Sequence, residues 1–364
     1  MKILAAICCL IFAVQSQNFP QAEANHDTIG VGGVNWFAYP FIFFTPETDW
    51  AFGAGGILYF NLSDQLKSKP SNITASGYYT VNKQFDLTVL PEIYLNQDKF
   101  LLSTKFNYSE IYDFFYGIGS TSPDIANNQY FQRNFILNVK FQAEAFKKNF
   151  KLGPIYELRS MDVLNKEGNP LLDSNEVLGS NGGITSGLGF IASYDTRDNI
   201  FYPSNGGFHQ FSITYYSKAL GSDFDYSKYL LDSRTYLSLF PNHILAYQAY
   251  IMIEFGYPPF YELALLGGDK VMRGYLYGRY RDRIYYAFQA EYRLPIIWRF
   301  GFVVFGGLGD VASKVSKIEI STIKPSYGFG VRFRIDELQK LDLRVDVGFG
   351  RDTNGIYFSV NQAF

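Results

Sequence analysis

Among the side chains able to do chemistry, one arginine stands apart. Arg273 sits in Val271-Met272-Arg273-Gly274-Tyr275, between an apolar pair and a glycine-aromatic step, inside a long connection between β-patterned segments. A guanidinium in a restricted cavity needs carboxylate partners, and an arginine-carboxylate fork supplies both charge and geometry. The position therefore reads as a plug residue rather than a catalytic one. A second polar set, Asp195-Thr196-Arg197-Asp198-Asn199 followed by Pro203 and Gly206-Gly207, reads as a turn with carboxylates capping backbone amides. Bond-breaking chemistry lacks its parts. His26, His209 and His243 lie far apart without metal-ligand spacing, and no serine motif, metal cluster or phosphate-binding glycine loop accompanies them. Both cysteines, Cys8 and Cys9, fall in the first sixteen residues. No enzyme activity, metal or cofactor is expected.

The elements that must position Arg273 begin after a signal peptide at 1–16, which has Lys2, an apolar stretch from Ile3 to Val14 and a small or polar end. A lipoprotein reading of Cys8 is the weaker one, because Ile7 stands where a small residue is wanted. Residues 17–31 then form a short periplasmic segment, and 32–364 the main domain. Aromatics make up 18% of the chain, a level that favours β-structure and interfacial girdles. The net charge of −2, without a basic block, leaves no footprint for nucleic acid.

No apolar run past the leader approaches the roughly 20 residues of a membrane helix. Alternation is strong instead. Tyr327, Phe329, Val331, Phe333 and Ile335 face one way while Arg332 and Arg334 face the other; Leu343, Val345 and Val347 alternate with Asp342, Arg344 and Asp346. Sixteen strands are expected near 34–44, 50–62, 71–81, 84–96, 99–111, 130–146, 150–161, 183–195, 207–218, 226–240, 243–256, 284–295, 300–310, 323–336, 341–350 and 355–364. Segments of this length suit a bilayer better than a soluble sheet with one wet face. Short turns alternate with long connections at 112–129, 161–182 and 260–283, as in outer-membrane barrels. The expected fold is thus all-β, a 16-stranded antiparallel transmembrane β-barrel with short turns and both termini on the periplasmic side. The last strand ends in Phe358, Val360 and the terminal Phe364, which resembles the C-terminal signal for barrel assembly. Charges pointing inward, Asp232, Arg234, Arg293, Arg332, Arg334, Asp342, Arg344 and Asp346, are expected to pair across strands in a wet interior and only secondarily to act as a selectivity lining. Arg279, Arg281 and Arg283 offer either a lipid-headgroup contact or a solvated cluster.

Val271-Met272-Arg273-Gly274-Tyr275 resembles the Val-Arg-Gly-aromatic motif of the BamA/TamA superfamily of outer-membrane barrels. Other segments resemble that superfamily too: the turn from Asp195 through Arg197 and Asp198 to Pro203 and Gly206, the strand Gln289-Ala290-Glu291-Tyr292-Arg293-Leu294-Pro295, and Phe305-Gly306-Gly307-Leu308-Gly309-Asp310-Val311. The resemblance implies that the sixth extracellular loop inserts into the lumen and that Arg273 docks on acids of the twelfth and thirteenth strands. Glu291 and Asp310 are the expected partners, with Arg293 beside them. Gly307 stands where family members often carry an aspartate, and Asp310 is expected to compensate or Glu291 to act alone.

The resemblance further implies assistance in inserting or assembling outer-membrane proteins or lipids in a Gram-negative bacterium, within a complex. The expected partners are outer-membrane lipids, lipopolysaccharide included, and periplasmic or outer-membrane assembly proteins. Residues 17–31 are too short for a POTRA domain, so this is expected to be a member without one, for which client capture by this chain alone is not expected. A plugged transport pore and a structural surface antigen are the alternatives.

Overall fold

The computed structural model describes residues 34–45, 49–62, 69–124, 128–337 and 339–364. The expected signal peptide at 1–16 and the segment 17–31 lie outside the described residues. Sixteen strands among the described residues form one antiparallel sheet in chain order. They are β1 (Val34–Thr45), β2 (Asp49–Phe60), β3 (Ser71–Thr80), β4 (Phe85–Leu95), β5 (Phe100–Phe114), β6 (Gln129–Glu144), β7 (Phe150–Asn165), β8 (Gly182–Asp195), β9 (Gly206–Tyr216), β10 (Tyr226–Phe240), β11 (His243–Gly256), β14 (Ile284–Ile297), β15 (Phe300–Ala312), β16 (Lys324–Asp336), β17 (Leu341–Gly350) and β18 (Thr353–Val360). A small hairpin, β12 (Ala264–Leu266) and β13 (Tyr280–Asp282), lies within the connection from β11 to β14 and brackets Arg273.

Period-2 patterning explains which face each side chain takes. Phe288, Val304, Leu308, Tyr327, Phe329 and Val331 are exposed on the outside, whereas Glu291, Arg332, Asp342, Arg344 and Asp346 are buried within. A continuous apolar exterior over a charged interior is the inverse of a soluble protein and the pattern of a sheet that spans lipid. Aromatic rings lie over glycines on the partner strand: Tyr39 pairs with Gly55 and Phe41 with Gly53, and each ring fills the space a glycine Cβ would need. Both edges of the sheet reach one apolar cluster. Phe37 of β1 and Ile57 and Tyr59 of β2 meet Leu341 of β17, with Leu343 and Val360 packed alongside. The sheet therefore curls round on itself as a barrel.

The last strand departs from the expected 355–364. It ends at Val360, and Asn361 turns left-handed, sending the tail inward. The reason is polar satisfaction inside the barrel. Gln362 accepts from Arg332 Nε at 2.7 Å and donates to Asp342 at 2.7 Å, while the Phe364 carbonyl accepts from Arg293 at 2.7 Å. The Phe364 ring is buried with Tyr236, Ala246 and Ala363.

Phe329 lies mid-strand and is 45% exposed. Phe329→Lys should cost about 2–4 kcal/mol of folding in a bilayer, read by urea unfolding in lipid vesicles; a change near zero would mean that this face meets water.

Candidate functional site

The hairpin β12–β13 carries its tip, residues 267–279, against the inner wall. Gly274 makes this approach feasible: its φ is +106°, and a Cβ there would stand 2.5 Å from the Phe349 carbonyl carbon. Its amide donates to the Tyr357 hydroxyl at 2.8 Å, the Arg273 carbonyl accepts from Ser326 Oγ at 2.5 Å, and the Tyr275 hydroxyl donates to the Pro325 carbonyl at 2.8 Å. Met272 and Tyr275 pack with Leu266, Tyr285, Ala287 and Val311. The Met272 amide donates to Gln289. Val271 packs at the edge of the same cluster.

Arg273 is fully buried. Its Nη2 donates to Glu291 Oε2 at 2.8 Å and its Nη1 to Asp346 Oδ2 at 2.5 Å, while the guanidinium carbon lies 3.5 Å from the centre of the Phe305 ring. Gly330 and Gly348 leave room on the wall, since a Cβ at the first would strike Asp346 and at the second the Gly274 amide. Both carboxylates are shared. Arg293 Nε donates to Glu291 Oε1 at 2.8 Å, Arg332 Nη1 to Asp346 Oδ1 at 2.6 Å, and Arg344 lies 3.5 Å from Asp346. Arg344 is also held by Asp269 of the loop at 2.8 Å. Four arginines thus converge on two buried acids. The acids are the scarce component, and removing one leaves cations unmatched out of water.

Asp310 is not a partner of Arg273. It binds Lys324 Nζ at 2.6 Å and Ser120 Oγ at 2.7 Å. The register explains this: Glu291 pairs with Phe305, and Asp310 lies five residues farther toward the long loops, about 17 Å at roughly 3.4 Å per residue. Asp346, one of the charges expected simply to pair across strands, does the work assigned to Asp310. Its inward alternation on β17 was visible in the sequence, but its approach to the loop tip depends on how the barrel bends. The Phe305 face and the Tyr357 hydroxyl left no sequence signal.

The turn after β8 is more than a cap. Asp195 takes a two-pronged contact from Arg197 at 2.9 Å and pairs with Lys69 at 2.6 Å. Asp198 accepts from the amides of Ser204 and Asn205 at 2.8 and 3.1 Å. Burial works to raise the Asp198 carboxyl, yet these bonds and the Ser204 hydroxyl hold it below its ordinary value. Gly206, at φ +90°, faces the Thr196 carbonyl where a Cβ would not fit. The Pro203 carbonyl accepts from Arg293 at 3.3 Å. Neither reading of the Arg279 cluster describes all of it. Arg281 is buried, donating to the Phe114 carbonyl at 2.8 Å, and Arg279 holds Ser122; only Arg283 is exposed.

Residues 52–364 match the Omp85 superfamily domain. No curated protein matches the chain. Among solved structures, BamA from Haemophilus ducreyi lacking POTRA domains 1–3 superposes with a TM-score of 0.55 at 13% identity, over 98% of this chain and 74% of that one. CdiB from Acinetobacter baumannii gives 0.55 at 14% identity, over 98% of this chain and 65% of that one, just under two thirds of its length. These likenesses establish a shared barrel fold.

Glu291→Gln and Asp346→Asn should each cost about 3–5 kcal/mol of the docked state, as breaking a buried pair does. Trypsin should then cut after Arg273 in both variants and spare it in Asp310→Asn; equal cutting in all three would contradict the assignment.

Proposed function

The chain belongs to the Omp85 superfamily, and from that premise we propose that it is an integral outer-membrane barrel that helps insert or assemble outer-membrane proteins or lipids. The observation that carries this reading is the shortness of the last strand. β18 has eight residues where β1 has twelve, and the tail beyond it is committed to the lumen by Gln362 and Phe364. Eight residues limit any ladder that β18 can make, and among the described residues none joins it to β1, whereas every other neighbouring pair of the sheet is hydrogen-bonded, so the seam is the weakest joint of the wall. Pro40 in β1 also lacks a ladder donor. A seam that parts at modest cost exposes strand edges to an incoming strand or distorts the lipid beside it, and either lowers the barrier to insertion.

The docked loop supports the same reading. With Arg273 seated, the barrel interior is occupied and the wall on that side is braced from β14 to β18, so opening is directed elsewhere. The partners this implies are outer-membrane lipids, lipopolysaccharide among them, and assembly proteins that deliver clients from the periplasm in a Gram-negative cell. Depleting the protein should lower the level of folded outer-membrane proteins or of surface lipid; unchanged levels of both would sink the proposal.

A plugged transport pore is the second reading, favoured by the seated loop itself. It requires conduction once the plug is loosened. Planar-bilayer recordings should find wild type closed and Asp346→Asn open if this reading holds, and both closed if it does not.

A further inference from the structure

The turn between β8 and β9 lies halfway round the barrel from the seam between β18 and β1. Its residues nevertheless reach that seam. Phe201 is 5% exposed and belongs to the cluster of Phe37, Ile57, Tyr59 and Leu341, with Ile200 and Val360 packed against it. Its ring meets the Tyr59 ring edge-on, with centroids 6.3 Å apart. Asn199 Nδ2 donates to the Gln339 carbonyl at 3.3 Å in the turn before β17, and its Oδ1 accepts from the amides of Phe201 and Tyr202 at 2.8 Å each. The Tyr202 ring lies under Arg334 at 4.6 Å and Arg293 at 5.6 Å.

The residues that root this segment differ from those that make the distant contacts. Asp195, Arg197 and Asp198 fix its two ends beside β8 and β9, while 199–203 extend across the opening. A turn whose only task was to reverse the chain would not bury a phenylalanine against the opposite wall. Hairpins on the same side reverse the chain at 96–99 and at 241–242.

We propose that residues 199–203 are a strut across the periplasmic mouth that holds the two strands of the seam together, with Phe201 as the positioning residue. β1 and β2 on one side and β17 and β18 on the other share an apolar core only partly of their own making, and Phe201 contributes from the opposite wall. Withdrawing it removes buried apolar area from both sides at once. The strut also touches the Arg273 cluster, because Arg293 bonds Glu291, Pro203 and the Phe364 carbonyl together. The seated outer loop and the inner strut therefore meet in one side chain, and release of either loosens a ligand of the other. The inference rests on the reading of a seam that parts, but not on what passes through it.

The test is a distance measurement across the seam in the purified full barrel. Spin labels go on Trp36→Cys and Phe358→Cys, both exposed on the outer face, in a chain with Cys8 and Cys9 changed to Ser. Phe201→Ala should shift the distance distribution to longer and broader values, Phe201→Leu should largely restore it, and Trp298→Ala, in another short turn, should leave it unchanged. Should Phe201→Ala fail to give the heat-resistant folded band, Asn199→Ala decides, because it removes the strut's bond to Gln339 while keeping the ring. An unchanged distribution in the folded variant overturns the strut. Outer-membrane protein levels that hold steady on depletion would sink the assembly reading and leave this result standing.

Discussion

A guanidinium taken out of water must take its carboxylates with it, and the structure is arranged around that requirement. Arg273 is fully buried, and its charge is matched by Glu291 and Asp346 from different strands of the wall. An unmatched charge there would cost several kcal/mol. Placing the two acids on β14 and β17 means that the loop can dock only when the wall between them holds its curvature. The loop in turn cross-braces that wall through Ser326, Tyr357 and Pro325. The glycines at 330 and 348 are part of the same arrangement, since a side chain at 330 would strike the Asp346 carboxylate and one at 348 the backbone of Arg273 and Gly274.

Much of the barrel was legible because a strand's alternation is local. Strand number, order and most boundaries follow from which residues face lipid, and β10, β11 and β17 match their expected limits to the residue. The exceptions arise where a long-range contact overrides the local pattern. Val360 to Phe364 continue the alternation and would pass for strand, yet buried arginines recruit Gln362 and the Phe364 carbonyl and turn the tail inward. In the same way, Arg281 looks like one of three solvated cations but is drawn into the barrel by backbone carbonyls.

The candidate site was legible in kind and less so in detail. Arg273 and Glu291 could be paired from motif and facing. Asp310 was the wrong second acid because its height relative to Glu291 is set by the register of β15 against β14, which a single strand's pattern does not give, and height decides reach. Asp346, on β17 and two strands beyond β15, reaches Arg273 because the wall curves. The turn from Asp195 to Gly206 shows a related limit. Its caps are local and readable, whereas the passage of Phe201 to the far wall is a property of the closed shape.

What the arrangement does is make two ends of one wall depend on each other. The outer loop is held by Glu291, Glu291 by Arg293, and Arg293 by the inner turn and the chain's last residue. The measurement that bears most directly on this account is a double-mutant cycle for Arg273→Ala and Asp346→Ala, read by reversible unfolding in lipid vesicles, with Asp310→Ala in place of Asp346→Ala as the comparison. Direct contact predicts a coupling of about 0.5–3 kcal/mol between Arg273 and Asp346, with Arg273 and Asp310 close to additive. Additivity for Arg273 and Asp346, or a larger coupling to Asp310, would contradict it.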